Sequence, residues 1–523
     1  MDLDEMDAFD KVSRSTRREL LRFGLALLFV IGVALFTWIT QGHVSMVMVI
    51  AAVIGAYMAM NIGANDVANN VGPAVGSQAL TMGGAIVIAA TFEAAGAIIA
   101  GGEVVTTIKK GIIDPTLIAD PMTFVWLMMA ALLAAAIWLN LATALGAPVS
   151  TTHSIVGGVM GGGIAAAGWG IANWGTVGQI AASWVISPVL GGAIAAALLY
   201  LIKRSITYQH DLIAAARQRV PWFLGLMAWA FATYLAVKGL KRITDISFMG
   251  ALGIGLVVAV AVFFLVRPLI ARAADRMTEN SKGSVNSLFT WPLIFAAALL
   301  SFAHGSNDVA NAVGPLAAIN DALAHAGTAA KAAIPLWIMV IGALGLAVGL
   351  ALYGPKLIRT VGHEITEIDQ MRAYCIAMAA ALTVILASQL GLPVSTTHVT
   401  IGAVFGVGFL REYLKSSYDR LEQQVRDLHP EGDDDEVMQE YLERFRAAPL
   451  KEKEQMLAEL KNKSTRREVH ISKRQRKGLK KIYKRELVKR SLMLKVVAAW
   501  VITVPAAAIL SAIFFFLIRG MMA

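Results

Sequence analysis

The sequence predicts an all-α polytopic membrane protein built from two related halves, with about 12 spans, some of them broken by polar residues. Three observations carry that prediction. The 523-residue chain is 57% hydrophobic and only 16% charged, with a mean hydropathy of +0.63, unlike an ordinary soluble protein. Apolar runs of 17 to 25 residues recur almost end to end, long enough to cross a bilayer core as helices. Finally, the polar stretch Gly63-Ala-Asn-Asp-Val-Ala-Asn-Asn-Val-Gly-Pro73 returns as Gly305-Ser-Asn-Asp-Val-Ala-Asn-Ala-Val-Gly-Pro315.

Each copy has a companion downstream, Pro148-Val-Ser-Thr-Thr-His153 and Pro393-Val-Ser-Thr-Thr-His398. Asp66 precedes Ser150 by 84 residues and Asp308 precedes Ser395 by 87. The duplication runs further, because Gly402, Gly406 and Gly408 follow Gly157, Gly161 and Gly163 at the 245-residue offset that separates Ser150 from Ser395.

In chain order, residues 1–43 read as a cytoplasmic segment with a basic stretch (Arg14, Arg17, Arg18, Arg22) and an extra span at 23–41. No secretory cleavage site is evident, so this run is expected to be retained. Residues 44–202 form the first repeat, with apolar runs at 44–60, 83–101, 123–144 and 178–202. Residues 203–287 are a connector whose basic loops flank shorter runs at 222–237 and 247–266. The second repeat is 288–410, and a last helix, 494–523, crosses the membrane.

Between them, residues 411–493 carry 22 Lys/Arg and 16 Asp/Glu. Tyr441, Leu442 and Phe445, then Met456, Leu457 and Leu460, recur at helical spacing, so amphipathic helices in a cytoplasmic insert, lying against lipid, are expected. The net charge of +10 is explained by such loops and calls for no nucleic acid. The single cysteine, Cys375, excludes an internal disulfide and a cysteine metal site.

The chemistry sits in the doubled motifs. Pro73 and Pro315 remove backbone donors and should disturb the preceding turn, and ionisable residues at membrane depth mark functional sites. Asp66 and Asp308 offer carboxylates, while Asn65, Asn69, Asn307 and Asn311 offer amide oxygens. That ligand set suits a small cation or a shuttled proton. In the companion motif the residue before Pro is held extended and Ser stands at an N-cap. Hydroxyls and free N–H groups at a helix start attract anions. Ser150, Thr151, Thr152, Ser395, Thr396 and Thr397 therefore suit an oxyanion such as phosphate or sulfate. His153 and His398 either bond neighbouring backbone or handle substrate. Glu93 is an isolated membrane carboxylate and His304 lies four residues before Asp308; both are accessory candidates. Should the motifs face one another, cations or protons must neutralise the carboxylates beside an anion, because neither motif contains Lys or Arg.

At these residues the chain resembles the inorganic phosphate transporter family often called PiT, over most of residues 44–410. The resemblance implies two inverted-topology repeats with re-entrant segments, substrate near the midplane and alternating access. It implies that the six Ser/Thr hydroxyls hold phosphate, that Asp66, Asn69, Asp308 and Asn311 serve coupling ions (sodium or protons, with sodium bound there), and that Glu93 is an acidic position of the first repeat. The second repeat has no Glu in its corresponding run, Trp337–Leu352. A homodimer in the cell's inner or plasma membrane is implied, with no cofactor beyond the coupling ion. The rivals are a sulfate permease on the same scaffold, a scaffold protein acting through residues 411–493, and an acyl-transfer enzyme. The last is disfavoured because the Ser–His pair is doubled and no nucleophile elbow is present.

Overall fold

The computed structural model describes residues 3–40, 46–118, 120–239, 246–325, 334–363, 368–428 and 490–522. Of the insert expected at 411–493, residues 411–428 continue a helix that begins at Thr396, whereas 429–489, with Tyr441 to Leu460, lie outside the described residues, as does the short loop at Gly42 and His43. Among the described residues the chain is helical, with an isolated bridge between Ile113 and Ala172 as its only strand-like pairing. Eleven helical segments among the described residues are long and apolar enough to cross a membrane.

The first half contains α1 (Leu3–Thr40), α2 (Met46–Asn65), α3 (Val67–Gly76), α4 (Met82–Ala100), α5 (Gly102–Thr106), α6 (Pro121–Leu145), α7 (Thr151–Ala167) and α8 (Trp174–Ile202). The connector is α9 (Leu212–Lys238) and α10 (Phe248–Asp275), packed as a hairpin. Both exceed the apolar runs read from the sequence. The helices continue past the hydrophobic stretch, and Arg217 pairs with Asp275 at 2.8 Å across their polar ends. The second half contains α11 (Lys282–Ser287), α12 (Thr290–Asp308), α13 (Ala310–His325), α14 (Leu336–His363), α15 (Gln370–Gln389), α16 (Thr396–Leu428) and α17 (Arg490–Met522).

The halves interlock. α2 packs most extensively against α14, and α12 against α4. α7 leans on α17, and α16 on α8. Glycine permits this: a Cβ at Gly63 would stand 2.0 Å from the Leu346 carbonyl oxygen, and one at Gly305 would stand 2.2 Å from that of Glu93. Without a hydrophobic drive between helices in lipid, such close backbone contact is what association depends on.

The loops ahead of α7 and α16 are built alike. α6 and α15 run into Gly146 (φ 72°) and Gly391 (φ 66°), both left-handed. Gly146 N–H bonds to Thr143 O and Ala147 N–H to Ala142 O, while Gly391 N–H bonds to Ser388 O and Leu392 N–H to Ala387 O. This doubled bond set closes the helix end. A proline follows, then Ser150 or Ser395 accepts from the N–H of His153 (3.1 Å) or His398 (3.2 Å), the N-cap expected from the sequence.

Candidate anion and cation site

The polar breaks are smaller than the sequence implies. One non-helical residue, Asp66, separates α2 from α3, and its N–H still bonds to Ile62 O at 2.9 Å. In the second copy the break is Val309. Pro73 and Pro315 lie inside α3 and α13 and disturb the ladder without ending it. Each removes the N–H that would bond four residues back, so the α-helical partner of the Asn69 and Asn311 carbonyls is missing.

Around these breaks the motifs of both halves converge. Thr151 donates its hydroxyl to Asp66 Oδ2 at 2.6 Å, and Thr397, from the other half, donates to Asp66 Oδ1 at 3.0 Å. Thr396 donates to Asp308 Oδ2 at 2.7 Å. Asn69 Nδ2 donates to Thr397 Oγ1 at 2.8 Å, and Asn311 Nδ2 reaches back to Thr151 (3.1 Å) and Thr152 (3.3 Å). The Thr152 hydroxyl donates to Val394 O at 3.2 Å. All of these side chains are buried. Among the described residues the amide oxygens of Asn69 and Asn311 have no hydrogen-bond partner, a costly state for a buried acceptor.

Asn65 and Asn307 act differently from the other amides. Asn65 donates to Thr143 Oγ1 (3.0 Å) and Ala147 O (3.2 Å) and accepts from Val149 N–H (3.2 Å). Asn307 donates to Val394 O (2.9 Å) and Asp308 Oδ1 (2.8 Å). Both brace the loops that deliver Ser150 and Ser395.

Glu93 and His304 meet. His304 Nδ1 lies 2.6 Å from Glu93 Oε2, and its Nε2 lies 2.7 Å from Asp308 Oδ2, off the hydrogen-bonding axis. Asn70 Nδ2 donates to Glu93 Oε1 at 2.7 Å. Asn70 carries no charge to mark it in the sequence, yet the repeat holds a signal. The second copy has Ala312 in its place, no Glu to match Glu93, and His304 where the first has Ile62. The departures from the repeat fall at one spot. Asp66, His304 and Asp308 also offer ligand atoms within 4.8 Å of one another, the one such group of three among the described residues.

The arrangement offers carboxylates and free amide oxygens to a cation and a set of hydroxyls to an anion, within one buried cluster. Residues 62–511 match the model of the phosphate transporter family, and so span every motif above. The chain belongs to this family. This member is 53% identical over 524 residues, 98% of each chain, to a protein of Helicobacter pylori strain J99 named as a candidate phosphate permease. It is 40% identical over 364 residues, 70% of this chain and 89% of the relative, to a similarly named protein of Pyrococcus abyssi. A solved structure of a protein described as a sodium-dependent phosphate transporter matches with a TM-score of 0.73 at 31% identity, covering 91% of this chain and 99% of that one. This is therefore a multi-pass helical membrane protein of a transporter family.

Proposed function

We propose that the chain imports inorganic phosphate by symport with cations, sodium ahead of protons, through alternating access at the Asp66/Asp308 cluster. The observation that carries this reading is the crossed bonding of Thr397 to Asp66 and of Asn311 to Thr151 and Thr152, which joins both halves' motifs. Ser150, Thr151, Thr152, Ser395, Thr396 and Thr397 would grip the phosphate, aided by the helix starts. Each hydroxyl has one hydrogen to give. Those of Thr151, Thr396 and Thr397 now go to the aspartates, so an arriving anion takes donors away from Asp66 and Asp308.

Positive charge must then arrive with the anion. A pair of like unit charges at 4 Å costs about 4 kcal/mol at an effective dielectric near 20. Asn69 and Asn311, with amide oxygens lacking partners, and the two carboxylates form a hard-oxygen set for sodium. Cation and anion thereby strengthen each other's binding. The sodium dependence of the 31% identical structural relative supports the ion choice. Glu93, Asn70 and His304 hold Asp308 from behind, as an accessory that orients it. The exchanged packing of the halves supports an inverted repeat. We place the N-terminus and the 411–493 insert in the cytoplasm, the protein in the inner or plasma membrane, and its assembly as a homodimer.

Phosphate is favoured over sulfate because it retains a proton near neutrality and can donate to an ionised aspartate. The test is uptake by purified protein in liposomes under a sodium gradient or a pH gradient. The expected result is sodium-driven phosphate uptake that excess sulfate leaves intact. Sulfate uptake unaffected by excess phosphate contradicts the reading.

A further inference from the structure

A second duplicated cluster adjoins the helix starts. His153 and His398 are each the third residue of their helix, one position beyond Thr152 and Thr397. The His153 ring sits over Trp184 of α8, with centroids 3.7 Å apart. It meets the His398 ring edge-on at 4.3 Å and 79°. His398 in turn stacks on Trp500 of α17 at 3.6 Å. The result is a column, Trp184–His153–His398–Trp500, that ties together α8, α7, α16 and α17.

The column is itself a product of the duplication. Trp184-Val-Ile-Ser187 and Trp500-Val-Ile-Thr503 are corresponding stretches, so α17 is the second-half counterpart of α8, separated from α16 by the charged insert. Both imidazoles are buried, at 5% and 1% exposure. His153 Nδ1 approaches Trp500 O at 3.4 Å and His398 faces the backbone of Trp184, while among the described residues no well-formed hydrogen bond reaches His153 Nε2 or either His398 ring nitrogen. Ring faces, more than polar bonds, hold these side chains. Among the described residues neither ring bonds to Asp66, Asp308 or Glu93. The chemistry is that of a spacer, since stacked and edge-on rings have preferred separations.

We propose that His153 and His398 are positioning residues for phosphate binding, their edge-on contact between Trp184 and Trp500 setting the distance between the two hydroxyl-bearing helix starts. The proposal rests on the reading that both starts grip one phosphate. A hydrogen bond weakens within a few tenths of an ångström, and Thr397–Asp66 and Asn311–Thr151 both cross between the halves at 3.0 and 3.1 Å. Loss of either ring lets the starts drift and loosens the grip, with the later transport steps little changed.

Phosphate uptake by reconstituted protein, scaled to folded transporter, separates these effects. His153→Ala and His398→Ala should each raise the KM for phosphate about five- to tenfold, the scale of an aromatic contact, with maximal rate held within about twofold. His153→Phe and His398→Phe keep a flat ring and should retain the wild-type KM and pH profile. Alanine variants with wild-type KM overturn the proposal, as do phenylalanine variants as impaired as alanine. Should an alanine variant not fold, the phenylalanine variant decides alone: wild-type KM supports the spacer, raised KM overturns it. Thr151→Val with Thr397→Val, run alongside, tests the underlying reading. Unchanged phosphate KM there removes the shared site itself, whereas a raised KM beside unaffected His→Ala variants removes only the positioning role.

Discussion

Asp66 accepts a hydroxyl from each half of the molecule, Thr151 and Thr397, and so is the residue through which anion and cation are proposed to communicate. Asp66→Asn keeps the size and most of the bonding while removing the charge. Sodium-driven phosphate uptake should fall by at least about tenfold, since bonds to charged groups contribute about 1.5–3 kcal/mol, while the protein still folds. Asp308→Asn should behave alike, and wild-type uptake in both variants rules out the ion-site assignment. Glu93 touches neither helix start directly, but it holds His304, which contacts Asp308. Glu93→Gln should lower uptake, and Ala312→Asn, which merely restores the motif's first-copy residue, should not replace it. Full uptake in Glu93→Gln would leave Glu93 a structural partner only. Sequence reading found every one of these acids from charge inside apolar sequence. It could not tell Asn65 and Asn307, whose amides brace loops, from Asn69 and Asn311, whose oxygens stay free. Residue type is the same in both pairs, and only the neighbour across the fold differs.

The helices that carry the hydroxyls depend on close contact with partners far away in sequence. A Cβ at Gly161 of α7 would stand 2.2 Å from Ala508 O of α17, and one at Gly406 of α16 would stand 2.1 Å from Gly192 O of α8. Gly161→Ala and Gly406→Ala should therefore lower the thermal unfolding midpoint in detergent by several degrees, consistent with an overpacking cost of about 1–3 kcal/mol. Gly170→Ala, where no described residue's atom lies within 4 Å of the added Cβ, is the control and should shift it little. Equal stability of all three would contradict the packing. The repeated glycines were visible in the sequence, as was the N-cap. Their partners were not, because a spacing pattern states that a helix face is flat without naming what lies against it. The breaks, one residue each at Asp66 and Val309, are also smaller than the motifs imply. Proline six or seven residues past each break weakens only one rung of the ladder, and neighbouring helices hold the rest.

At the scale of the whole molecule the duplication is an interlock. α2 lies on α14 and α12 on α4, while α7 lies on α17 and α16 on α8, so each hydroxyl-bearing helix is supported by the closing helix of the other half. The site is thereby assembled from both halves, and its charge balance is a property of their union. Each half alone offers one motif aspartate and one helix start; together they bring Asp66 and Asp308 into a buried space shared with the hydroxyls proposed to hold the anion. On the proposed reading the coupling is reciprocal, since a cation that neutralises the aspartates would favour the anion by the same factor that the anion favours the cation. The most direct measurement is the phosphate affinity of the purified wild-type protein by calorimetry, at fixed pH and ionic strength, with sodium exchanged for choline. Sodium should tighten phosphate binding by about fivefold or more, the lower range of coupling between linked sites, and Asp66→Asn should reduce that effect. Phosphate affinity that is the same in sodium and in choline would contradict it.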